Sequence, residues 1–285
     1  MVCEVKALAC QLPAEVGLPF SRFSREDLRA AVIGRGIVAK ISGATIWNWL
    51  SEDAIRPWSH RSWIYPRDPN FAEKAGRVLD LYERQWEGRA LLADEYVVCA
   101  DECAGLQVKR RLHPTAPPQP GRPMRVEHEY QRLGTLAYLA AWDVHKAKLF
   151  GRVESRATIA AFDGLVGQFM AQEPYRSARR VFLVVDNGTI HRGQRAIQRL
   201  QAQWPHLVVV HLPVHASWLD QVEIYFSILK RKVLTPNDFP SRQAAITRIL
   251  NFQAYYQEIA TPFKWTFTRA DLKRLLAKLD MRQAA

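Results

Sequence analysis

Cysteine is scarce in this chain. Cys3, Cys10, Cys99 and Cys103 are the only four in 285 residues, and none belongs to a CxxC pair. A disulfide framework and a zinc knuckle are both excluded on that count, and the four read as reduced, small apolar residues. Long hydrophobic runs are also missing. No stretch of about 18 apolar residues occurs, which excludes a membrane-spanning helix. The N-terminus MVCEVKALACQLPAE carries acidic residues and lacks the apolar core of a secretion signal, so a cytoplasmic protein is expected. There is no GxxxxGK[ST] loop to cradle a nucleotide. Acidic side chains are in deficit, 28 against 40 Lys and Arg, for a formal charge of +12.

What is present is enough apolar material, 48% of residues, for one sizeable core and a small accessory domain. Basic and acidic residues number 9 and 7 over 1–70, 20 and 17 over 71–223, and 11 and 4 over 224–285, so most of the excess lies in the last stretch. Such a surface suits a polyanion such as DNA, because each neutralised phosphate releases counterions.

The pattern divides the chain into residues 1–70, a helical head and linker; 71–240, an α/β body; and 241–285, a basic helical tail. In the head, Ser24 and Asp27 form a capping-box signature ahead of Leu28, Ala31 and Val32. Ser42 opens a second helix whose core face is Ile46, Trp49 and Leu50. Two short helices joined through Gly34 and Gly36 read as a helix-turn-helix, with Gly43, Thr45, Trp47 and Asn48 as candidates for a DNA groove. A small helical cap packed on the body is the other reading. IRPWSHRSWIYPRDPNF, rich in Pro, Trp and Arg, reads as an extended linker.

Within the body, FAEKAGRVLDLYERQW is an amphipathic helix, EYVVCAD a buried strand ending at Asp101, and GTLAYLAAWDVHKAKLFGRV two antiparallel strands about a turn at 143–146. Helix, strand, helix, strand and helix follow, the last being SWLDQVEIYFSILKRKV. This β-β-β-α-β-α-β-α order is that of an RNase H-like, integrase-like α/β fold: a mixed five-stranded sheet flanked by helices, with its first and fourth strands adjacent and parallel. Asp101 and Asp186 then fall at one edge, and the final helix brings in Glu223. Converging carboxylates at the mouths of buried strands are costly unless a cation neutralises them, so the trio reads as a divalent-metal site.

VVCADECAGLQ, VVDNGTIH and LPVHASWLDQVEIYFSILKRKVLTPNDF resemble the three signature blocks of DDE-superfamily endonucleases, specifically bacterial insertion-sequence transposases of the mariner-related superfamily. The resemblance implies a transposase that cuts double-stranded DNA at a mobile element's inverted repeats and joins the ends to target DNA. It implies a homodimer on DNA, a bacterial, nucleoid-associated location, and two Mg²⁺ or Mn²⁺ ions held by Asp101, Asp186 and Glu223. Relatives carry a further N-terminal helical module, for which this chain starts too late. A structure-specific nuclease and a DNA-binding remnant of a mobile element are the alternatives.

Around the three ligands, Glu102 is expected on the opposite side of its strand. Asp220, where the family commonly has Asn, is expected on Glu223's helix face as a residue that tunes the metal. Asn187, His191 and His215 flank the acidic motifs and are candidates to orient a ligand or touch substrate. Two basic regions are assigned to DNA phosphates: Lys109, Arg110 and Arg111, opening a Pro-rich arm over 109–125, and Lys230, Arg231 and Lys232 after Glu223.

Overall fold

The computed structural model describes residues 1–60 and 66–283, with side chains through Leu279. Residues 61–65, the middle of the expected linker, lie outside the described residues. Two compact units emerge, Met1–Ile64 and Tyr65–Ala285.

The first unit contains helices α1 (Val2–Ala9), α2 (Arg25–Gly34) and α3 (Gly43–Glu52). The capping box forms as its sequence dictates: the Asp27 amide donates to Ser24 Oγ at 3.1 Å, and the Ser24 amide donates to Asp27 Oδ2 at 3.0 Å. Ser42 caps α3 in the same way through the Thr45 amide. Helix α1 was not anticipated. Its Val5, Leu8 and Ala9 close a core with Leu28, Val32, Ile46 and Leu50, following the three- and four-residue spacing that puts side chains on one helix face. On α3, Trp47 and Asn48 are exposed, whereas Thr45 is half-buried with its hydroxyl 2.8 Å from Ser42 Oγ.

The second unit opens with α4 (Phe71–Tyr82) and a small hairpin, β1 (Gln85–Trp86) and β2 (Arg89–Ala90), that the sequence pattern had not suggested. Then follow β3 (Glu95–Arg111), β4 (Tyr130–Asp143), β5 (Leu149–Glu154), α5 (Ile159–Met170), β6 (Arg180–Val185), α6 (Gly193–Gln203), β7 (Leu207–His211), α7 (Val222–Lys232), α8 (Arg242–Ile259) and α9 (Arg269–Gln283). The main sheet has the order β5-β4-β3-β6-β7. Strands β5, β4 and β3 are antiparallel neighbours, and β3, β6 and β7 run parallel. The all-apolar VFLVV of β6 is what a strand covered on both faces requires. One face packs against α4 and α7–α9 through Val97, Cys99, Phe182 and Val184. The other packs against α5 and α6 through Val98, Leu183, Phe162 and Leu200.

Three expectations need correction. Strand β3 does not end at Asp101 but continues to Arg111, because Gly105, at φ 67°, carries a bulge between Cys103 and Leu106 beyond which pairing with β4 resumes. Lys109, Arg110 and Arg111 are therefore strand residues opposite Arg132, Gln131 and Tyr130, and the irregular arm begins only at Leu112. The helix expected from Ser217 is broken. A 3₁₀ turn, Ser217–Leu219, is followed by Asp220 in extended backbone (φ −80°, ψ 119°), and α7 starts at Val222. Asp220 thus precedes Glu223's helix instead of sharing its face.

Candidate metal centre

Parallel pairing of β3 with β6 ends at Cys99–Val184, and two residues further each strand presents an aspartate. Asp101 and Asp186 face each other where the strands part, and a ligand atom from each lies within 4.8 Å of the other and of a His191 ring nitrogen. Asp186 is held in place by its own turn. Its Oδ1 accepts from the Gly188 amide at 2.6 Å and lies 2.6 Å from His191 Nε2. A Cβ on residue 188 would sit 2.7 Å from that ring nitrogen and 2.9 Å from Asp186 Oδ1, so the pair closes only over glycine.

His191 is fully buried, edge-on to Phe162, and its carbonyl faces His211 Nε2 at 2.9 Å. Burial pushes its pKa down to about 4 against the pull of Asp186, so the ring is neutral at pH 7. A neutral ring bonded to a carboxylate through Nε2 donates there, which orients Asp186. Its Nδ1 has no hydrogen-bond partner and lies 3.9 Å from Glu102 Oε2, itself unpartnered. Glu102 is therefore not set apart from the acidic group: its carboxylate reaches His191 and feels the charge of Asp186. Asn187 does not bond Asp186: its Nδ2 donates to Leu212 O at 2.7 Å and ties the Asp186 turn to the segment after β7.

Asp220 is the most enclosed acid of the group, 1% exposed. Its Oδ1 accepts from the Val222 amide at 3.0 Å, while its Oδ2 has no partner. Burial raises its pKa well above the usual carboxylate range. Asp101, 7% exposed, is pushed up to about 9 by burial and then by the charges of Asp220 and Asp186. Glu223 lies half-buried in the first turn of α7 and is not part of the Asp101–Asp186–His191 group, although its charge is felt at Asp220. Lys230, two turns further along the same helix, lies close enough to act on the Cys103 thiol, where Glu223 and Asp101 are also felt. Arg231 and Lys232 are exposed in the last turn of α7.

Beside Asp186 opens a cleft of about 510 Å³ lined by Asn187, Gly188, Arg192, Val214 and His215. His215 is exposed at its rim with φ 61°, a left-handed backbone that costs a non-glycine residue strain. The rim is fixed from a distance by a residue the sequence pattern did not single out. Asp68 accepts from the Val214 amide at 2.9 Å, the Asn70 amide at 2.9 Å and Lys74 Nζ at 2.8 Å.

Clustered oxygen donors, a raised Asp101 and an orphaned buried carboxylate oxygen are what a divalent cation of the Mg²⁺ class would relieve. The residues therefore fit such an ion.

The family described as DDE superfamily endonuclease matches residues 96–246. Among proteins of curated function no sequence matches. The fold is similar to that of the Mos1 transposase paired-end complex with left transposon end, at TM-score 0.55 and 15% identity over 99% of this chain and 76% of that one. It is also similar to the mariner Mos1 paired-end complex with Mg, at TM-score 0.56 and 14% identity over 99% and 78%.

Proposed function

Because the chain belongs to the DDE superfamily of endonucleases, we propose that it is a transposase, which cuts DNA at the inverted repeats of a mobile element and transfers the freed ends to target DNA. The convergence of Asp101 and Asp186 where β3 and β6 part carries this reading. Asp101, Asp186 and Glu223 would hold two Mg²⁺ or Mn²⁺ ions, with Asp220 enclosed behind them. Bound there, such ions lower the barrier to displacement at phosphorus by activating the attacking oxygen and stabilising the leaving one. The chain's own residues do the rest. His191 donates to Asp186 Oδ1 and keeps its carboxylate turned toward Asp101. Lys230 offers a cation beside the acids, suited to a phosphate of the reacting strand.

In this reading residues 1–70 recognise element ends through the exposed face of α3, residues 71–240 perform the chemistry, and 241–285 brace the body. The solved relatives are a transposase on transposon-end DNA and a complex with Mg, which agrees with a DNA substrate and a divalent ion. A homodimer on DNA completes the proposal.

A strand-transfer assay with labelled element ends tests it. Mg²⁺-dependent cleavage and joining are expected, and both should vanish in Asp101→Asn, Asp186→Asn and Glu223→Gln while DNA affinity stays close to the parent. Cleavage without joining would make the protein a nuclease on the same fold. DNA binding with no cleavage under any divalent ion would make it a remnant whose acidic centre is unused.

A further inference from the structure

The distal half of the β3–β4 hairpin carries charge that the acidic centre does not use. From Lys109 to Arg132 there are six Lys and Arg against two Glu. The register sets Lys109 directly opposite Arg132, and Arg111 opposite Tyr130. Like charges facing each other across a ladder are destabilising. Between them stands Tyr130, 36% exposed, with Lys109 Nζ 3.9 Å from its ring centroid and the Arg111 guanidinium 5.2 Å away. Hydrogen bonds from Arg132 and Lys109 hold its hydroxyl below the usual tyrosine range. Among the described residues neither Lys109 nor Arg132 forms an ion pair with a carboxylate.

The three basic residues assigned together from sequence have separate tasks. Arg111 is occupied with structure: its side chain donates to the carbonyls of Asn237, Glu127 and His128. Arg110 turns to Gln131 Oε1 at 2.7 Å. Only Lys109, with Arg132 and the Tyr130 hydroxyl, offers converging donors to solvent. The platform beneath them is stiff. Asn237 Oδ1 accepts from the Lys109 amide, its Nδ2 donates to Gln107 O, Asp238 Oδ1 accepts from the Arg111 amide, and the Phe239 amide donates to Lys109 O. Residues 237–239 thus cover the backbone edge of β3 beyond its pairing with β6, through side-chain bonds and one backbone bond.

We propose that Lys109, Tyr130 and Arg132 form a binding site for a backbone phosphodiester of duplex DNA, remote from the acidic centre. The proposal rests on the DNA substrate argued above. Two cations and a phenol hydroxyl match the charge and the acceptor oxygens of a phosphate. At about 3.3 Å per residue, Lys109 stands roughly 25 Å along β3 from Asp101. For a duplex lying along β3, at 3.4 Å per base pair, that is a phosphate about 7 base pairs from the reacting one.

Phosphate-ethylation interference on a long duplex, together with the salt dependence of binding, tests the site. For the parent, interference is expected at the reacting phosphate and at a second group about 7 base pairs away. Lys109→Ala/Arg132→Ala should lose the second group and keep the first, and its slope of log affinity against log salt should fall by about 1 to 2. Tyr130→Phe should weaken binding with an unchanged slope, since it removes a donor and no charge. A double variant that melts like the parent and keeps both the second group and the parental slope would overturn the site while leaving the DNA substrate intact. A parent that binds no duplex DNA at all would overturn both.

Discussion

Divalent-cation binding should release protons, and the structure says from where. Asp101 is pushed to about 9 by burial and by Asp220 and Asp186. At pH 7 it is then mostly protonated, and ionising it costs on the order of a few kcal/mol. A bound cation requires the charged form, so affinity should rise about tenfold per pH unit between 7 and 9 and level off above. Titration calorimetry of Mn²⁺ binding at pH 7, in two buffers of different ionisation enthalpy, should report about one proton released per chain, and Asp101→Asn should abolish that release. The folded Asp101 holds its proton more tightly than the unfolded chain does. Its contribution to stability is therefore complete below the ordinary carboxylate pKa of about 4 and is lost as pH rises through about 9. Melting temperature without metal should fall over that window, and saturating Mn²⁺ should flatten the fall. Metal affinity that is constant between pH 6 and 9, with no proton released, would refute this account of the acidic cluster.

Asp68→Ala removes a 2%-exposed carboxylate that accepts three hydrogen bonds. Chemical denaturation should show a loss of about 2–4 kcal/mol, the range for stranding buried donors, and the cleft rim at Val214 should gain amide exchange. Gly76→Ala should displace the Arg269 guanidinium, because an added Cβ would lie 1.8 Å from its Nη1, and so break its pairing with Asp80; the helix propensity gained, about 1 kcal/mol, offsets the loss, and limited proteolysis of the C-terminal helix reads out whether α9 loosens. Asp220→Asn should keep metal binding by calorimetry, because the amide is nearly isosteric with the carboxyl group and its oxygen can still accept from the Val222 amide. Loss of metal binding would make Asp220 a ligand and reopen the place of Glu223.

Local rules were strong enough to expose much of the body from sequence. The continuous apolar run of β6, the alternating hairpin at 143–146 and the caps at Ser24 and Ser42 each have one low-energy outcome, and their order fixes a mixed sheet with Asp101 beside Asp186. What was not legible depended on distant contacts. The sequence reading ends the strand at Asp101, and only pairing with β4 shows that it continues through a bulge at Gly105. The helical spacing from Asp220 to Glu223 is correct as arithmetic. It fails because Asp220 bonds the Val222 amide and so starts the helix instead of riding on it. Asp68 gave no signal of its role at the cleft, since its bonds to Asn70 and Lys74 are local but the one that fixes the rim, to the Val214 amide, comes from 146 residues away.

The position of Glu223 follows from how α7 is anchored at both ends. Before the helix, the Tyr82 hydroxyl donates to Leu219 O at 2.7 Å and sits 3.2 Å from Cys99 Sγ, two residues from Asp101 on β3. After it, Asn237 and Phe239 bond the backbone of Gln107 and Lys109 on the same strand. The helix therefore spans a fixed stretch of β3 and cannot slide along it without breaking one set of bonds or the other. An exposed edge of β3 would otherwise invite pairing with another chain. The segment 237–239 closes that edge, and in doing so it holds the helix bearing Glu223 against the strand bearing Asp101.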